Sequence, residues 1–319
     1  MRTKNILFIL ILIIVNCSKP GPVEYSELKL KDGIYYKGFR PYTGQVVVYN
    51  GNDLNKEISY KNGKRHGKWI KYRGIDIKSE ERNYVDGKIE GYHIYYNDFG
   101  VKQIEVYCSQ KIDKIPPQPF DSFPGREYIV FNGPYISYFD NGMVEYKTVY
   151  NNGKFDGEQV DYYRNGNLKE IKRLKYFPDL DNSLTIGDLK KYYENGNIEL
   201  EVTYNMTKDL KSTSPIGYFK TFHRNGNLES SVFYDYETRK RDGKEEEYYD
   251  NGQLKKVFNW IQGEVTGNFT EYYKNGSIKE KGFYKNNRKD GRSIYYFENG
   301  YVWIRDYQNG DIISDSLLK

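Results

Sequence analysis

The dipeptide Asn-Gly recurs at Asn141, Asn165, Asn195, Asn225, Asn251, Asn275 and Asn299, in steps of 24 to 30 residues. The same surroundings travel with it. Before each Asn stands an aromatic pair or near-pair, as in Tyr192-Tyr193, Tyr248-Tyr249 and Tyr272-Tyr273, with His223 filling one slot. Three residues after it comes an aliphatic: Val144, Leu168, Ile198, Leu228, Leu254, Ile278 or Val302. Nine after it come Tyr150, Leu174, Tyr204, Tyr234, Trp260 and Tyr284, and last Gln308 beside Tyr307. A period in this range marks an array whose units cannot bury a core alone and gain one by stacking.

Asn-Gly between two apolar-aromatic runs predicts a two-residue type I′ turn, because both central residues need positive φ. In that register Lys274 faces Ser277, Tyr273 faces Ile278, and Tyr272 points to the opposite face and meets Lys279. One ring of each pair then packs on the aliphatic while its neighbour covers the other surface. A second turn closes each unit in "NGKRHG" (62–67), "DGKIEG" (86–91), "NGKFDG" (152–157) and "QGEVTG" (262–267), and "NNRKDG" (286–291) keeps only the later glycine. Ten units follow, opening near Gly44, Gly67, Gly91, Gly133, Gly157, Gly187, Gly217, Gly243, Gly267 and Gly291. The unit at 91 is imperfect, with "YYNDFG" in place of the Asn-Gly turn, and "DGIYYKGFRPYTG" (32–44) reads as a capping hairpin. The expected fold is all-β: an elongated antiparallel β-meander of about ten hairpin repeats in a single-layer sheet. Twenty or so strands at ~4.8 Å spacing would extend on the order of 100 Å.

Composition agrees. Only 38% of residues are hydrophobic, but 17% are aromatic and 35 are Tyr. Disordered chains are poor in aromatics, whereas Tyr suits half-buried strands. The net charge of +5 falls to +3 without Arg2 and Lys4, and the remaining charges of both signs are interspersed. A basic stripe is the footprint of nucleic-acid binding, and it is missing here.

The N-terminus reads as a targeting segment. "MRTKN" is basic and Ile6–Val15 is a run of ten apolar residues, too short to span a bilayer but suited to a signal peptide. Cys17 follows in "IVNCS", which resembles the lipobox of bacterial lipoproteins, in which the cysteine is lipidated and becomes the mature N-terminus. The expected organisation is a signal peptide over 1–16, a lipidated N-terminus and tether over 17–31, and the repeat array over 32–319. Lipidation at Cys17 leaves Cys108 without a disulfide partner, so Cys108 reads as a buried structural thiol.

The pattern "YYxNGxLxxxxxY…NGKxxG" resembles the MORN-repeat variant, and "RPYTGQVVVY" resembles its opening unit, so that the likeness runs over about 32–310. Bacterial members of this group are often labelled toxin–antitoxin system YwqK family antitoxins. The resemblance implies an interaction surface and carries no catalytic residues.

Longer connections interrupt the period at 109–125, 177–185, 205–215 and 235–243. Such insertions lie along one edge of an array, often a binding edge. The Pro-rich 109–125 segment is the leading candidate for partner contact, through Phe120 and Phe123. Tyr192, Tyr248 and Tyr272 are the candidate contacts on the sheet.

No catalytic constellation is legible. His66, His93 and His223 are the only histidines; they share no metal-ligand spacing, and His223 reads as a packed ring. "DLDNS" (179–183) has Leu184 where a calcium loop needs glycine and Lys190 where it needs glutamate. The repeated Glu residues read as solvent-facing. The expectation is a non-enzymatic protein without metal or cofactor, held at the bacterial cell envelope by Cys17. Its tyrosine-rich sheet would act as a scaffold for a protein partner. An antitoxin is the first alternative, and binding of glycans or lipid headgroups is the second.

Overall fold

The computed structural model describes residues 21–110 and 129–318. The signal segment, Cys17, Phe120 and Phe123 lie outside the described residues. Within them no α-helix occurs, and none is long and apolar enough to cross a membrane. From Gly44–Asn50 onward each strand pairs antiparallel with the next in sequence, ending at Asp311–Leu318, in one open sheet. Val23–Glu24 adds in parallel to Gly44–Asn50, and a separate three-stranded sheet (Lys29–Lys31, Ile34–Lys37, Arg40–Pro41) sits beside it. Leu28, Tyr35 and Tyr42 pack on the buried cluster of the first units. The segment expected to cap the array therefore does so.

Each of the ten unit-opening glycines pairs across the ladder with one residue, nine times of the ten an aromatic or leucine. The pairs include Gly44 with Tyr60, Gly67 with Tyr84, Gly133 with Tyr150, Gly157 with Leu174 and Gly187 with Tyr204. They continue with Gly217 and Tyr234, Gly243 and Trp260, Gly267 and Tyr284, and Gly291 and Tyr307. In the imperfect unit Gly91 meets Cys108. At Gly133 the reason for glycine is direct: φ is +138°, and a Cβ there would approach the Tyr107 Cβ to 3.1 Å.

Two positions along, on the same face, runs the core. Val46, Ile58, Trp69, His93, Val106, Thr148, Leu189, Val202, Val232, Glu245, Phe258, Phe269 and Ser293 are all buried. They follow one another through ladder pairs such as Val46–Ile58–Trp69, Leu189–Val202, Glu245–Phe258 and Phe269–Gly282. The core is thus a spine along one face, as expected of a single layer that buries apolar surface only between neighbouring units.

The Asn-Gly turns differ from expectation. At Asn141 the Gly142 N–H donates to the Phe139 carbonyl and the Phe139 N–H donates to the Met143 carbonyl, each at 2.8 Å. Gly142 has φ +81°, and Asn141 is not among the positive-φ residues. This is a three-residue turn with its glycine left-handed, and the extra residue appears as a bulge. Tyr272 pairs with Ile278 and not with Lys279, Tyr273 bonds to Ser277, and the register beyond the bulge returns to Glu271 with Glu280. The type I′ geometry belongs to the opposite edge, where Asn62-Gly63, Asn152-Gly153, Gln262-Gly263 and Asn286-Asn287 have both φ values positive. The imperfect "YYNDFG" keeps the three-residue turn, because Gly100 (φ +76°) supplies the left-handed position.

Asparagine works between units as well as within its turn. Asn225 Oδ1 accepts from the Asn227 N–H at 3.0 Å, while its Nδ2 donates to the Asp250 carbonyl of the next turn at 2.6 Å. Asn165, Asn195 and Asn251 reach the next turn in the same way, through Glu194, Arg224 and Lys274 carbonyls. The second aromatic of each pair does likewise: Tyr163, Tyr193, Tyr249 and Tyr273 donate to the carbonyls of Tyr192, Phe222, Tyr272 and Tyr296. His223 holds that slot with Nε2 donating to the Tyr248 carbonyl at 2.9 Å, a packed ring as expected. The insertion expected to begin at 109 starts later, since Ser109 and Gln110 still pair with Val130 and Ile129.

Candidate functional site

Strand alternation sends the first aromatic of each pair to the face opposite the spine. Tyr192, Tyr248 and Tyr272 all lie on this open face, half-buried, each paired with the next strand's aliphatic Ile198, Leu254 or Ile278. Tyr138, Tyr162, Phe222 and Tyr296 occupy the same place with Val144, Leu168, Leu228 and Val302. The result is a stripe of alternating rings and aliphatics beside the Asn-Gly edge. The structure places Tyr192, Tyr248 and Tyr272 at equivalent positions on this face, with Tyr272 opposite Ile278 and not Lys279.

Charges punctuate the stripe. The Lys102, Lys147 and Lys281 ammoniums lie over the Tyr138, Tyr162 and Tyr296 rings at 5.4–5.5 Å. Hydroxyls of Tyr96, Tyr138 and Tyr248 donate to Glu81, Glu105 and Glu246. Burial, followed by the neighbouring Glu81 or Glu105 carboxylate, pushes Tyr96 and Tyr138 up to about 12. These phenols therefore remain donors at any physiological pH. Rigid rings with a polar tip offer contact area at low entropic cost.

The glutamates correct the expectation that they face solvent. Glu81, Glu245 and Glu280 are buried, each beside a cation or indole: Lys68 and Lys78, Arg241 and Trp260, and Lys289 respectively. Burial dominates at Glu245 and holds its carboxyl above the ordinary value, despite the Trp260 N–H and Arg241. At Glu80 burial also opposes the charge. There the His93 imidazole (2.6 Å) and the Arg82 guanidinium prevail and hold the carboxyl below its usual range. Arg82 lies 5.0 Å from the Trp69 ring and His93 is 1% exposed, so this group cements the spine. Cys108 is fully buried, and burial pushes its thiol up to about 12, the inert structural cysteine expected. Sequence reading missed the Glu80–His93–Arg82 group because its members are brought together by the hairpin, 11 to 13 residues apart for His93.

Among the described residues no group of three or more His, Cys, Asp or Glu is placed to hold a metal ion.

Six segments, 131–152, 155–175, 186–206, 215–236, 241–262 and 265–286, match the MORN repeat variant family. Each contains one unit-opening glycine and its cross-ladder partner. The same pair recurs outside the matched span at Gly44, Gly67, Gly91 and Gly291, so the structural repeat is longer than the sequence match. No curated protein matches the chain in sequence. Among solved structures, a porin-like protein from Bacteroides uniformis is 8% identical over 76% of this chain and 91% of its own, with a TM-score of 0.19. The TcdB2-TccC3 structure is 9% identical over 83% of this chain and 20% of its own, with a TM-score of 0.16. Scores this low carry no argument about fold or function.

Proposed function

From an array that carries MORN-variant repeats across residues 131–286, we propose a non-catalytic interaction scaffold whose open face receives a protein partner. The observation that supports it is the alignment of Tyr192, Tyr248 and Tyr272 in one ring-and-aliphatic stripe on the face opposite the spine. Rings needed only for folding would lie on the spine face; these are half-buried on the other, and the Tyr248 hydroxyl donates to the Glu246 carboxylate. Alternating Lys and Glu around them would set the partner's register more than its affinity. The scaffold needs no metal, cofactor or nucleic acid. Its place would be the bacterial cell envelope, anchored by lipid at Cys17, which needs more than one acyl chain for stable anchoring.

A photo-crosslinking residue placed in living cells at Tyr192, Tyr248 or Tyr272, and for comparison at the exposed Lys191 on the spine face, tests the face. The reading expects one discrete protein adduct shared by the three open-face positions and absent at Lys191. Equal adducts from Lys191, or none from any position, would overturn it. Palmitate labelling of wild type and Cys17→Ala tests the anchor: label and membrane association should both depend on Cys17. An unlabelled, cytosolic wild type would remove the envelope from the proposal and favour the antitoxin alternative.

A further inference from the structure

Two rings on the open face are exposed beyond what packing within the array requires. Tyr218 and Tyr236 are 60% and 57% exposed. They flank Phe233 in two edge-on contacts, with ring centroids 5.4 and 5.7 Å apart. Tyr218 pairs with Phe233 across the ladder, whereas Tyr236 stands on the insertion that follows. That insertion is built to hold it. Asp235 Oδ1 accepts from the N–H groups of Glu237 and Thr238 at 3.0 and 2.7 Å and from the Thr238 hydroxyl at 3.0 Å. The turn is fastened to the neighbouring insertion by Lys208–Glu237 (3.1 Å) and by Arg239 donating to the Met206 carbonyl (3.2 Å). Two lengthened junctions thus cooperate to fix an exposed ring.

Beside Tyr218 and Tyr236 lies a cleft of about 370 Å³, within the range of small-ligand sites. Its floor and rim carry donors and acceptors in balance. Asp188 accepts from the Thr203 hydroxyl at 2.6 Å, Lys190 pairs with Glu201 at 3.0 Å, and Lys220 stands over the Tyr218 ring at 5.8 Å. Two carboxylates and two ammoniums give the cleft no net charge. A phosphorylated ligand or a polycation would meet as much repulsion as attraction there. A neutral, polyhydroxylated ligand suits it better: C–H groups can lie on the electron-rich ring faces while hydroxyls exchange hydrogen bonds with the charged floor.

We propose that Tyr218 and Tyr236, braced by Phe233, form with Asp188, Glu201 and Lys220 a subsite for a pyranose unit of a neutral oligosaccharide. The site lies toward the insertion edge, away from the Tyr192, Tyr248 and Tyr272 stripe. It goes beyond the scaffold reading and can fail without it.

Calorimetric titration of the purified chain with cellohexaose, chitohexaose and maltohexaose tests it. At least one of the three should bind, with Kd on the order of 1 mM. Tyr218→Ala and Tyr236→Ala should each weaken binding at least tenfold. Tyr218→Phe should bind within about threefold of wild type, because the ring face carries the contact. Tyr49→Ala, at an exposed ring elsewhere, should change nothing. Matching melting curves for the variants would exclude unfolding as the cause of a loss. No heat from any hexasaccharide at concentrations on the order of 10 mM would overturn the proposal. So would binding that survives both Tyr218→Ala and Tyr236→Ala.

Discussion

Truncation of Phe269 to Ala probes the spine at its largest fully buried side chain. The side chain is 2% exposed, its ring lies 4.7 Å from that of Tyr284, and the Lys289 ammonium sits 5.2 Å from it. A Cβ on the paired Gly282 would meet the Ser293 Oγ at 2.3 Å and the Phe269 ring at 2.8 Å, so glycine makes the space that both side chains fill. Removing a buried Phe costs the lost transfer energy plus the cavity, ~3–5 kcal/mol together. In an open array that loss falls on the units touching Phe269 and does not spread over the whole sheet. With a urea dependence of ~2 kcal/mol per molar, the local midpoint should fall by roughly 2 M.

The three tryptophans make the locality measurable. Trp260 lies in the strand paired with that of Phe269, Trp303 lies three strands beyond Phe269 on the other side, and Trp69 belongs to an early unit. In chains retaining a single tryptophan, Phe269→Ala should lower the midpoint seen by Trp260 and leave that of Trp69 nearly unchanged. Gly282→Ala alone should destabilise by ~1–3 kcal/mol through overpacking. In a background carrying both Phe269→Ala and Ser293→Ala, which removes the Oγ that a Cβ at 282 meets first, it should cost far less, a coupling of more than ~1 kcal/mol. Equal shifts at Trp69 and Trp260, or an unchanged cost of Gly282→Ala in that background, would refute the picture of a linear, close-packed spine.

Other perturbations reach the turns and the buried carboxylates. Asn225→Ala removes one bond within its turn and one to the next, and should cost ~1–3 kcal/mol in urea titration. Gly133→Ala forces a side chain into φ +138° against Tyr107 and should cost ~1–3 kcal/mol, read by the same titration. Glu80 has a lowered folded pKa, so its stabilisation is complete above the ordinary value of 4.5 and is lost as pH falls through the folded value. Acid titration followed at Trp69 should show that loss, and Glu80→Gln should flatten it. Glu245 has the opposite sign: its raised pKa means stability declines as pH rises from 4.5 through the folded value. Glu245→Gln keeps an acceptor for Trp260 and should abolish that decline in melting curves taken across the pH range.

The unit count, the glycine register and the capping segment were legible because each is written in residue types with few uses. Gly133 opposite Tyr150 repeats at a fixed distance from Asn-Gly, and nothing but a ladder needs that spacing. The turn type was misread because Asn-Gly fits two geometries. A discriminating signal was present: every residue before the repeat Asn is charged, from Asp140 through Arg164, Glu194, Arg224, Asp250 and Lys274 to Glu298. An unbroken run of charges there marks a third loop residue and not a strand end. The buried glutamates were illegible for another reason. Glu280 is paired with Lys289 across a turn, and Glu245 accepts from the Trp260 indole N–H on the next strand, pairings that only the register reveals. For the candidate face, alternation placed Tyr192, Tyr248 and Tyr272 together. The Tyr218–Phe233–Tyr236 group escaped notice because Tyr236 stands where the junction widens, at a position with no aromatic counterpart in the repeat pattern.

The account rests on one open layer, with a spine on one face and a stripe free on the other. Small-angle X-ray scattering of the soluble array tests this most directly. Twenty or so strands at ~4.8 Å predict a rod on the order of 100 Å long, with a radius of gyration near ~30 Å. A radius near ~19 Å, that of a compact domain of about 300 residues, would contradict it.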